Sequence, residues 1–206
     1  MAWDRNQLQM CVPSHNSRLF VIKQIESLIV QGGPFAPYHG WHDDHRDVDG
    51  TADYLPALQQ VRAEFYGLVD IIPRFGRCLQ LGAGHCDAPH AVLRCLFDHV
   101  TTIDWRLIAV DDEVYPGADT ASGTALGYAR SNAPYDLLFI DAGHSYQDVG
   151  RDHYNYASLV RTGGIVAFHD ALPRAAYPEV EVWRYLASLG NPPVIGEEVG
   201  VAWIKR

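Results

Sequence analysis

Residues 77–84 read Arg-Cys-Leu-Gln-Leu-Gly-Ala-Gly, an apolar run that ends in two closely spaced glycines. The run predicts a buried β-strand, and the apolar periodicity of residues 88–97 predicts the helix that follows it. Glycines between a strand and a helix allow a tight turn and a close approach of a ligand to the backbone, with helix N–H groups directed at it. The alternative is an ordinary strand-to-helix turn, because two such glycines are weak evidence alone.

Strands and helices alternate on the C-terminal side of this glycine loop, which predicts a parallel sheet covered on both faces. Residues 105–119 look irregular and too short to hold a full crossover helix. The last two extended runs, 193–197 and 199–205, are joined by a short turn and predict an antiparallel hairpin at the sheet edge. The predicted strands are 77–81, 100–104, 135–141 and 165–169, and the predicted helices are 88–97, 122–131, 146–160 and 179–189.

Two amphipathic helices are predicted on the N-terminal side. The first begins at a cap formed by Asn16 or Ser17 and ends at Gly32, and the second spans about residues 54–72, before Pro73. We therefore divide the chain into a helical and loop-rich region, 1–72, and a Rossmann-like domain, 73–206. The first region is expected to cover the ligand site beside the glycine loop.

Residues 32–53 are rich in glycine, proline, histidine and aspartate, which is the composition of a loop. The sequence leaves open whether this loop forms a lid or is disordered. His39, His42 and His45 recur every three residues, but neighbouring like charges favour a solvated loop over a metal site.

Length and charge restrict the class of protein. A chain of 206 residues with a formal net charge of −9 suits one α/β domain with an extension, and lacks the basic stripe that binds a phosphate backbone. No long apolar span and no CxxC pair of cysteines is present. We expect a cytoplasmic protein that binds a small molecule, with neither nucleic acid nor a membrane as partner; the sequence leaves open whether it forms a homo-oligomer.

In an open parallel sheet, ligands bind beyond the carboxyl ends of the strands, so residues that finish strands are informative. Asp104 follows Gly82 by 22 residues and ends the next predicted strand, where a carboxylate can accept hydrogen bonds from both hydroxyls of a ribose. This spacing is typical of sites for adenosine cofactors in general. A solvated aspartate at a strand end is the alternative.

Asp141 and Asp170 finish predicted strands that are neighbours about 4.8 Å apart, which brings two carboxylates to one point of the sheet edge. With His169, they form a predicted site for a divalent cation. Two oxygens alone suit Mg²⁺, whereas an imidazole ligand would favour Mn²⁺, Fe²⁺ or Zn²⁺. The alternative is that Asp141 caps the next helix and His169 is a hydrogen-bonded strand end. His144 could accept the proton of a substrate hydroxyl, and His169 is a second candidate base.

Four segments together resemble the class I S-adenosylmethionine-dependent methyltransferases, in particular the small-molecule O-methyltransferases similar to the catechol and sugar enzymes. The segments are CLQLGAGHCD from residue 78, VTTIDW from residue 100, YDLLFIDAGHSYQDVGRDHYNYASLVRTGGIVAFHD from residue 135, and GEEVGVAWIKR from residue 196. The resemblance implies a doubly wound, mostly parallel sheet of seven strands with an antiparallel C-terminal hairpin.

The same resemblance implies the roles of individual residues toward S-adenosylmethionine. The glycine loop would hold the methionine part, Asp104 the ribose, and Asp119 with Thr120 would lie near the adenine. The predicted cofactor-binding residues are Gln80, Gly82, Ala83, Gly84, Asp104, Asp119, Thr120 and Asp141. Gln80 and Cys86 depart from the family loop, which commonly begins with Glu or Asp and carries a third glycine.

The sequence therefore predicts methyl transfer from S-adenosylmethionine to a hydroxyl of a small molecule, with a divalent metal as assistant. One alternative is an NAD-dependent oxidoreductase, although Asp87 stands where a dinucleotide fingerprint has its third glycine. The other is a binding module without catalysis, which the departures at Gln80 and Cys86 suggest.

Overall fold

The computed structural model describes residues 54–55, 60–83, 88–110 and 113–206. The predicted helix that ends at Gly32, the histidine-rich loop 32–53, and the loop residues Gly84, Cys86 and Asp87 lie outside the described residues. The strands are β1 Tyr54–Leu55, β2 Gln60–Val61, β3 Arg77–Leu81, β4 His99–Ile103, β5 Leu107–Val110, β6 Glu113–Pro116, β7 Tyr135–Ile140, β8 Val160–Phe168, β9 Val194–Ile195 and β10 Val201–Lys205. The helices are α1 Arg62–Ile71, α2 Ala88–Leu96, α3 Gly123–Ser131, α4 Tyr146–Tyr156 and α5 Val182–Ser188.

Eight of these strands form one sheet in the order β6-β5-β4-β3-β7-β8-β10-β9. The central strands β4, β3, β7 and β8 are parallel, and both edges are antiparallel. The predicted Rossmann-like α/β class and the antiparallel C-terminal hairpin are confirmed, and the sheet has eight strands instead of seven.

The alternation of side chains along β7 explains why helices cover both faces. Leu137 and Phe139 lie in a cluster with residues of α1 and α2, whereas Leu138 and Ile140 lie in a second cluster with residues of α3, α4 and α5. All six residues of β7 are buried. A strand apolar on both faces is stable only between two helical layers, which is the doubly wound arrangement.

Within residues 105–119, predicted to be irregular, β5 and β6 pair as an antiparallel hairpin at the sheet edge. Thr101 of β4 pairs with Val110, and the pairing of Val110 with Glu113 leaves a two-residue connection. A segment too short for a crossover helix can still satisfy its backbone groups by turning back along the sheet edge, because an antiparallel neighbour needs only a tight turn.

Three predicted helices are shorter than expected, and one of them, predicted at 179–189, spans Val182–Ser188. The helix predicted at 54–72 begins at Arg62, after the paired strands β1 and β2; Pro56 disfavours helical backbone at the residue before it, which opposes an early start. The helix predicted at 146–160 ends at Tyr156, and β8 already begins at Val160. The predicted turn at residues 162–164 lies inside β8 as an irregularity, with Gly163 at φ +82°.

Helix α1 lies on the N-terminal side of the predicted boundary at Pro73 and shares the core with the sheet, through Phe65, Leu68 and Val69. The division of the chain at residue 73 stays a prediction. Among the described helices, none is both long and apolar enough to cross a bilayer.

The chain runs from β3 to β4 on one side of the sheet and later returns to β7 on the other side of β3. The carboxyl ends of β3 and β7 therefore flank the point where the strand order reverses. Ligands of doubly wound sheets bind in the crevice at such a point. The fold thus places the candidate site beside Gly82 and Asp141.

Candidate functional site

Gly82 begins the turn after β3 and touches the residue after β7. Its φ is +87°, and a Cβ built on it would lie 1.9 Å from the backbone oxygen of Asp141. The N–H of Gly82 donates to the carbonyl of Ile103 at 2.8 Å, and the N–H of Asp141 donates to the carbonyl of Leu81 at 2.8 Å. Only glycine fits here, because the backbone angle and the available space both exclude a side chain.

Gln80, predicted to contact the cofactor, is fully buried behind the loop. Its Nε2 donates to the carbonyl of Gly82 at 2.8 Å, and its Oε1 accepts from the hydroxyl of Thr102 at 3.0 Å. The Thr102 hydroxyl lies 2.7 Å from Nδ1 of His90, on α2. Gln80 therefore supports the Gly82 carbonyl from inside the protein.

Asp104, directly after β4, lies beside the glycine loop as the spacing predicted. Its Oδ2 accepts from the N–H of Ala83 at 3.0 Å. Its Oδ1 accepts from the N–H of Arg106 at 2.9 Å and from Nε of the same residue at 3.1 Å. A carboxylate has about four acceptor positions, and donors from the described residues occupy three of them, which leaves one on Oδ2 for a ligand hydroxyl.

Asp119 and Thr120 lie beside the Asp104 turn, since the N–H of Ala118 donates to the carbonyl of Asp104 at 3.1 Å. Asp119 is exposed, and its Oδ1 accepts from the N–H of Ala121 at 2.7 Å. The Thr120 hydroxyl donates to Oδ1 of the buried Asp152 at 2.8 Å. Thr120 thereby anchors the segment to α4, and Asp119 is the one that remains accessible.

Four titratable side chains meet beyond β7 and β8. Nε2 of His144 lies 3.0 Å from Oδ2 of Asp170 and 3.6 Å from Oδ1 of Asp141. Nδ1 of His169 lies 3.2 Å from Oδ1 of Asp141 and 3.1 Å from Oδ2 of Asp170. Ligand-type atoms of Asp141, His144 and Asp170 all lie within 4.8 Å of one another. We call the four residues the acid–histidine cluster.

The two histidines differ in access. The side chain of His144 is 39% exposed, whereas that of His169 is 3% exposed. His169 is enclosed from the core side, where its ring lies edge-on to Phe139 with the ring centroids 6.0 Å apart. A molecule arriving from solvent therefore meets His144, and His169 supports the carboxylates from behind.

Local structure fixes the position of His144. Ser145 caps α4 by accepting from the N–H of Asp148, at 3.2 Å. From α5, the N–H of Glu181 donates to the carbonyl of His144 at 2.8 Å, and the carboxylate of Glu181 accepts from the N–H of Tyr146 at 3.1 Å. Two helices therefore hold this short loop, which makes His144 a fixed feature of the site.

The charges in the cluster stabilise one another. Hydrogen bonds to Asp141 and Asp170 raise the pKa of His144 to about 10. Burial disfavours charge on His169, but the two carboxylates outweigh it and raise its pKa well above the usual value. Burial likewise opposes ionisation of the carboxyls, but His169 and His144 hold the pKa of Asp141 below its usual value and that of Asp170 well below it. Perturbed groups of this kind, beyond the strand ends where the order of strands reverses, mark a candidate functional site.

Asp170 also has an unusual backbone. Its φ is +54°, in the left-handed region, and its Oδ1 pairs with Nη2 of Arg174. Aspartate is among the residues that adopt this region more readily than most. The observed strain directs the carboxylate toward the cluster, a position consistent with a functional role.

The structure thus brings the predicted residues together in two groups, the glycine loop with Asp104, and the acid–histidine cluster. Sequence reasoning placed His144 as a base but not among the groups of ligand type, because a loop conformation decides that contact. It also missed Arg106 and Arg174, which pair with Asp104 and Asp170. An arginine two or four residues after a strand-end aspartate was the available signal.

Comparison with known proteins supports the resemblance predicted from the sequence. A family model described as a methyltransferase domain matches residues 98–171, which contain β4 to β8 and the whole acid–histidine cluster. Residues 98–171 are therefore similar to a methyltransferase domain, and they lie within the Rossmann-like fold described above. The resemblance to the class I methyltransferases is confirmed. Among curated protein sequences, none matches the chain.

Solved structures agree on the fold. A protein from Staphylococcus aureus, provisionally assigned as a caffeoyl-CoA O-methyltransferase, has a TM-score of 0.56 and 12% identity, over 93% of this chain and 100% of that one. The apo form of a TDP-rhamnose 3′-O-methyltransferase of calicheamicin biosynthesis has a TM-score of 0.50 and 12% identity, over 98% and 99% of the two chains.

A third structure is the MycE methyltransferase of mycinamycin biosynthesis, in complex with Mg and SAH. It has a TM-score of 0.47 and 18% identity, over 66% of this chain and 46% of that one. The chain thus spans about half the length of MycE.

Proposed function

We propose that the protein transfers a methyl group from S-adenosylmethionine to a hydroxyl of a small molecule, with a divalent cation as assistant. One observation carries this proposal: the ligand-type atoms of Asp141, His144 and Asp170 lie within 4.8 Å of one another, directly beside the turn at Gly82. A site for the nucleoside and a site for the acceptor would then share one crevice.

The residues near the loop fit the nucleoside. Asp104 offers its open acceptor position on Oδ2 to a ribose hydroxyl, and the turn at Gly82 exposes backbone to a ligand. A second ribose hydroxyl would need Arg106 to release Oδ1, because two N–H groups of that residue already occupy it. Asp119 is the accessible polar group next to this position.

The donor set fits a divalent cation. Two carboxylates and one imidazole suit Mn²⁺, Fe²⁺ or Zn²⁺, and Mg²⁺ would rely on the two carboxylates and water. His144 completes the set on the solvent side, where the sequence had suggested His169. A bound cation would lower the pKa of the acceptor hydroxyl and would favour neutral His144.

The chain's own residues would do the rest. The crevice orients the acceptor oxygen in line with the sulfonium methyl group, and orientation of two reactants is the largest contribution to catalysis of such a transfer. With a cation present, the half-exposed His144 would be a ligand, and the hydroxyl, its pKa lowered by the cation, would release its proton to water; without a cation, His144 would be the base. His169, buried behind the carboxylates, keeps Asp141 and Asp170 ionised and in place.

The test is methyl transfer from methyl-labelled S-adenosylmethionine to a panel of phenols, hydroxy acids and nucleotide sugars, before and after chelation. We expect turnover with at least one acceptor, its loss on chelation, and its return with one of Mg²⁺, Mn²⁺, Fe²⁺ or Zn²⁺. Full activity after exhaustive chelation would leave His144 alone as the base. Nucleoside binding without turnover on any acceptor would favour a binding module.

A further inference from the structure

A continuous chain of hydrogen bonds runs behind the glycine loop, from α2 to the turn after β4. Its members, in order, are His90, Thr102, Gln80, the peptide between Gly82 and Ala83, and the Asp104 carboxylate. Every side chain in it is buried, with exposed fractions between 0% and 9%. We refer to these groups as the loop relay.

The direction of each bond follows from the count of hydrogens. The carbonyl of Gly82 can only accept, so the amide nitrogen of Gln80 must face it. The other end of that amide is then an oxygen, which accepts the single hydrogen of the Thr102 hydroxyl. Nδ1 of His90 must consequently donate to Thr102. All donors point the same way, which strengthens successive bonds in a buried network.

The loop relay fixes one peptide plane from both sides. The carbonyl of Gly82 and the N–H of Ala83 belong to the same planar unit. Gln80 holds the carbonyl at 2.8 Å, and Asp104 holds the N–H at 3.0 Å. Rotation of this peptide would break both bonds at once, so Gln80 and the carboxylate of Asp104 are mechanically coupled.

We infer that Gln80, Thr102 and His90 are positioning residues for nucleoside binding, which act by orienting the Gly82–Ala83 peptide and, through it, the carboxylate of Asp104. This inference rests on the proposed function. It also explains why this chain has Gln80 where the resembling family commonly has an acid: a carboxylate has no hydrogen to give to the carbonyl of Gly82, and at a fully buried position the two oxygens would repel.

The test is the dissociation constant for S-adenosylhomocysteine, measured by calorimetry beside thermal unfolding. Thr102→Val removes two bonds of the loop relay at nearly constant volume, and we expect about tenfold weaker binding, which is about 1.4 kcal/mol. Thr102→Ser keeps the hydroxyl and should bind within about twofold of the wild type. Gln80→Glu should weaken binding by at least about tenfold at neutral pH.

A matched control separates positioning from general stability. Tyr135→Phe removes a buried hydrogen bond, from the hydroxyl to the carbonyl of Ala129 at 2.8 Å. Tyr135 begins β7, at the opposite end of the parallel strands from the glycine loop. It should lower the melting temperature and leave the dissociation constant unchanged. In turnover assays, Thr102→Val should raise KM for S-adenosylmethionine and leave kcat at saturation near the wild-type value.

The outcomes are distinguishable. If the wild type binds neither sulfur nucleoside, the proposed function fails, and the inference with it. If the wild type binds, and Thr102→Val and Gln80→Glu bind as tightly, only the loop relay is overturned. Tighter binding by Gln80→Glu would contradict it most strongly. Should Thr102→Val fail to fold, His90→Leu removes the outermost bond, and about threefold weaker binding is expected.

Discussion

The two halves of the candidate site differ in how their polar groups are partnered. In the half formed by β3 and β4, Gln80 donates one hydrogen bond and accepts another, and the Asp104 carboxylate accepts three, at 2.8–3.1 Å. In the half formed by β7 and β8, two carboxylates share two imidazoles at 3.0–3.6 Å.

This difference separates recognition from chemistry. Groups with separate, neutral or singly charged partners hold a shape, because each bond restrains one orientation. Groups that share partners and have shifted pKa values can change their charge when a ligand or a proton binds. We therefore assign nucleoside binding to the first half and activation of the acceptor to the second.

The largest effect on stability is expected at Gly82, where the turn after β3 contacts the residue after β7. Gly82→Ala should destabilise the fold by about 2–5 kcal/mol, from the left-handed backbone and the contact with the Asp141 carbonyl together. Chemical denaturation measures it. Gly127→Ala is the matched control, since nothing lies within 4 Å of its Cβ position in α3, and it should stabilise by about 0.5–1 kcal/mol. Equal stability of the two variants would remove Gly82 from the close approach described here.

The second effect should appear in the β7–β8 half alone. Asp170→Asn should reduce turnover at least about 100-fold, because the charge that holds a cation and His144 is lost. Asparagine tolerates the φ of +54°, which alanine would strain. Binding of S-adenosylhomocysteine should stay within about threefold of the wild type, and the exposed Asp98→Asn serves as control. Loss of nucleoside binding in parallel with turnover would show that the halves are not separate.

The third effect belongs to the β3–β4 half. Asp104→Ala should weaken S-adenosylhomocysteine by at least about tenfold, since a charge-assisted hydrogen bond to ribose contributes about 1.5–3 kcal/mol. Calorimetric titration measures it, and Arg106→Ala is the informative partner. If Arg106 competes with ribose for Oδ1, its removal should leave binding unchanged or tighter. Unaltered affinity of Asp104→Ala would contradict the assignment of this half.

The smallest effect lies outside both halves, at the buried Asp152, whose Oδ1 lies 3.8 Å from Nε of Arg151 and contacts no imidazole among the described residues. Burial raises the pKa of Asp152 to about 6. A folded-state pKa above the unfolded value means that stability is full below about pH 4 and falls as pH rises through about 6. Asp152→Asn should match the wild type near pH 4 and exceed it by about 1–3 kcal/mol at pH 7. Denaturation curves at both pH values test this, and a constant difference between them would contradict it.

The sequence predicted the β3–β4 half better than the β7–β8 half, for physical reasons. Strand ends follow from apolar runs, so the observed ends at Leu81, Ile103, Ile140 and Phe168 agree with the prediction to within a residue. The proximity of Asp104 to the glycine loop followed from the parallel order of strands alone. Contacts that depend on strand order can be read from a pattern of residues.

Contacts that depend on loop backbone could not be read in this way. The approach of His144 to Asp170 requires the hydrogen bond from Glu181 to the His144 carbonyl and the left-handed φ of Asp170. Neither feature leaves a periodic pattern in the sequence. The β5–β6 hairpin was missed because the sequence between its two strands lacks the glycine that marks most two-residue connections.

The central claim is that this crevice binds a sulfur nucleoside and not a dinucleotide. Parallel calorimetric titrations of the full chain with S-adenosylmethionine, S-adenosylhomocysteine and NAD test it most directly. We predict saturable binding of both sulfur nucleosides, weakened at least about tenfold in Asp104→Ala, and no binding of NAD. Binding of NAD together with absence of binding for both sulfur nucleosides would contradict the account and would make the protein a dinucleotide-binding relative of the fold.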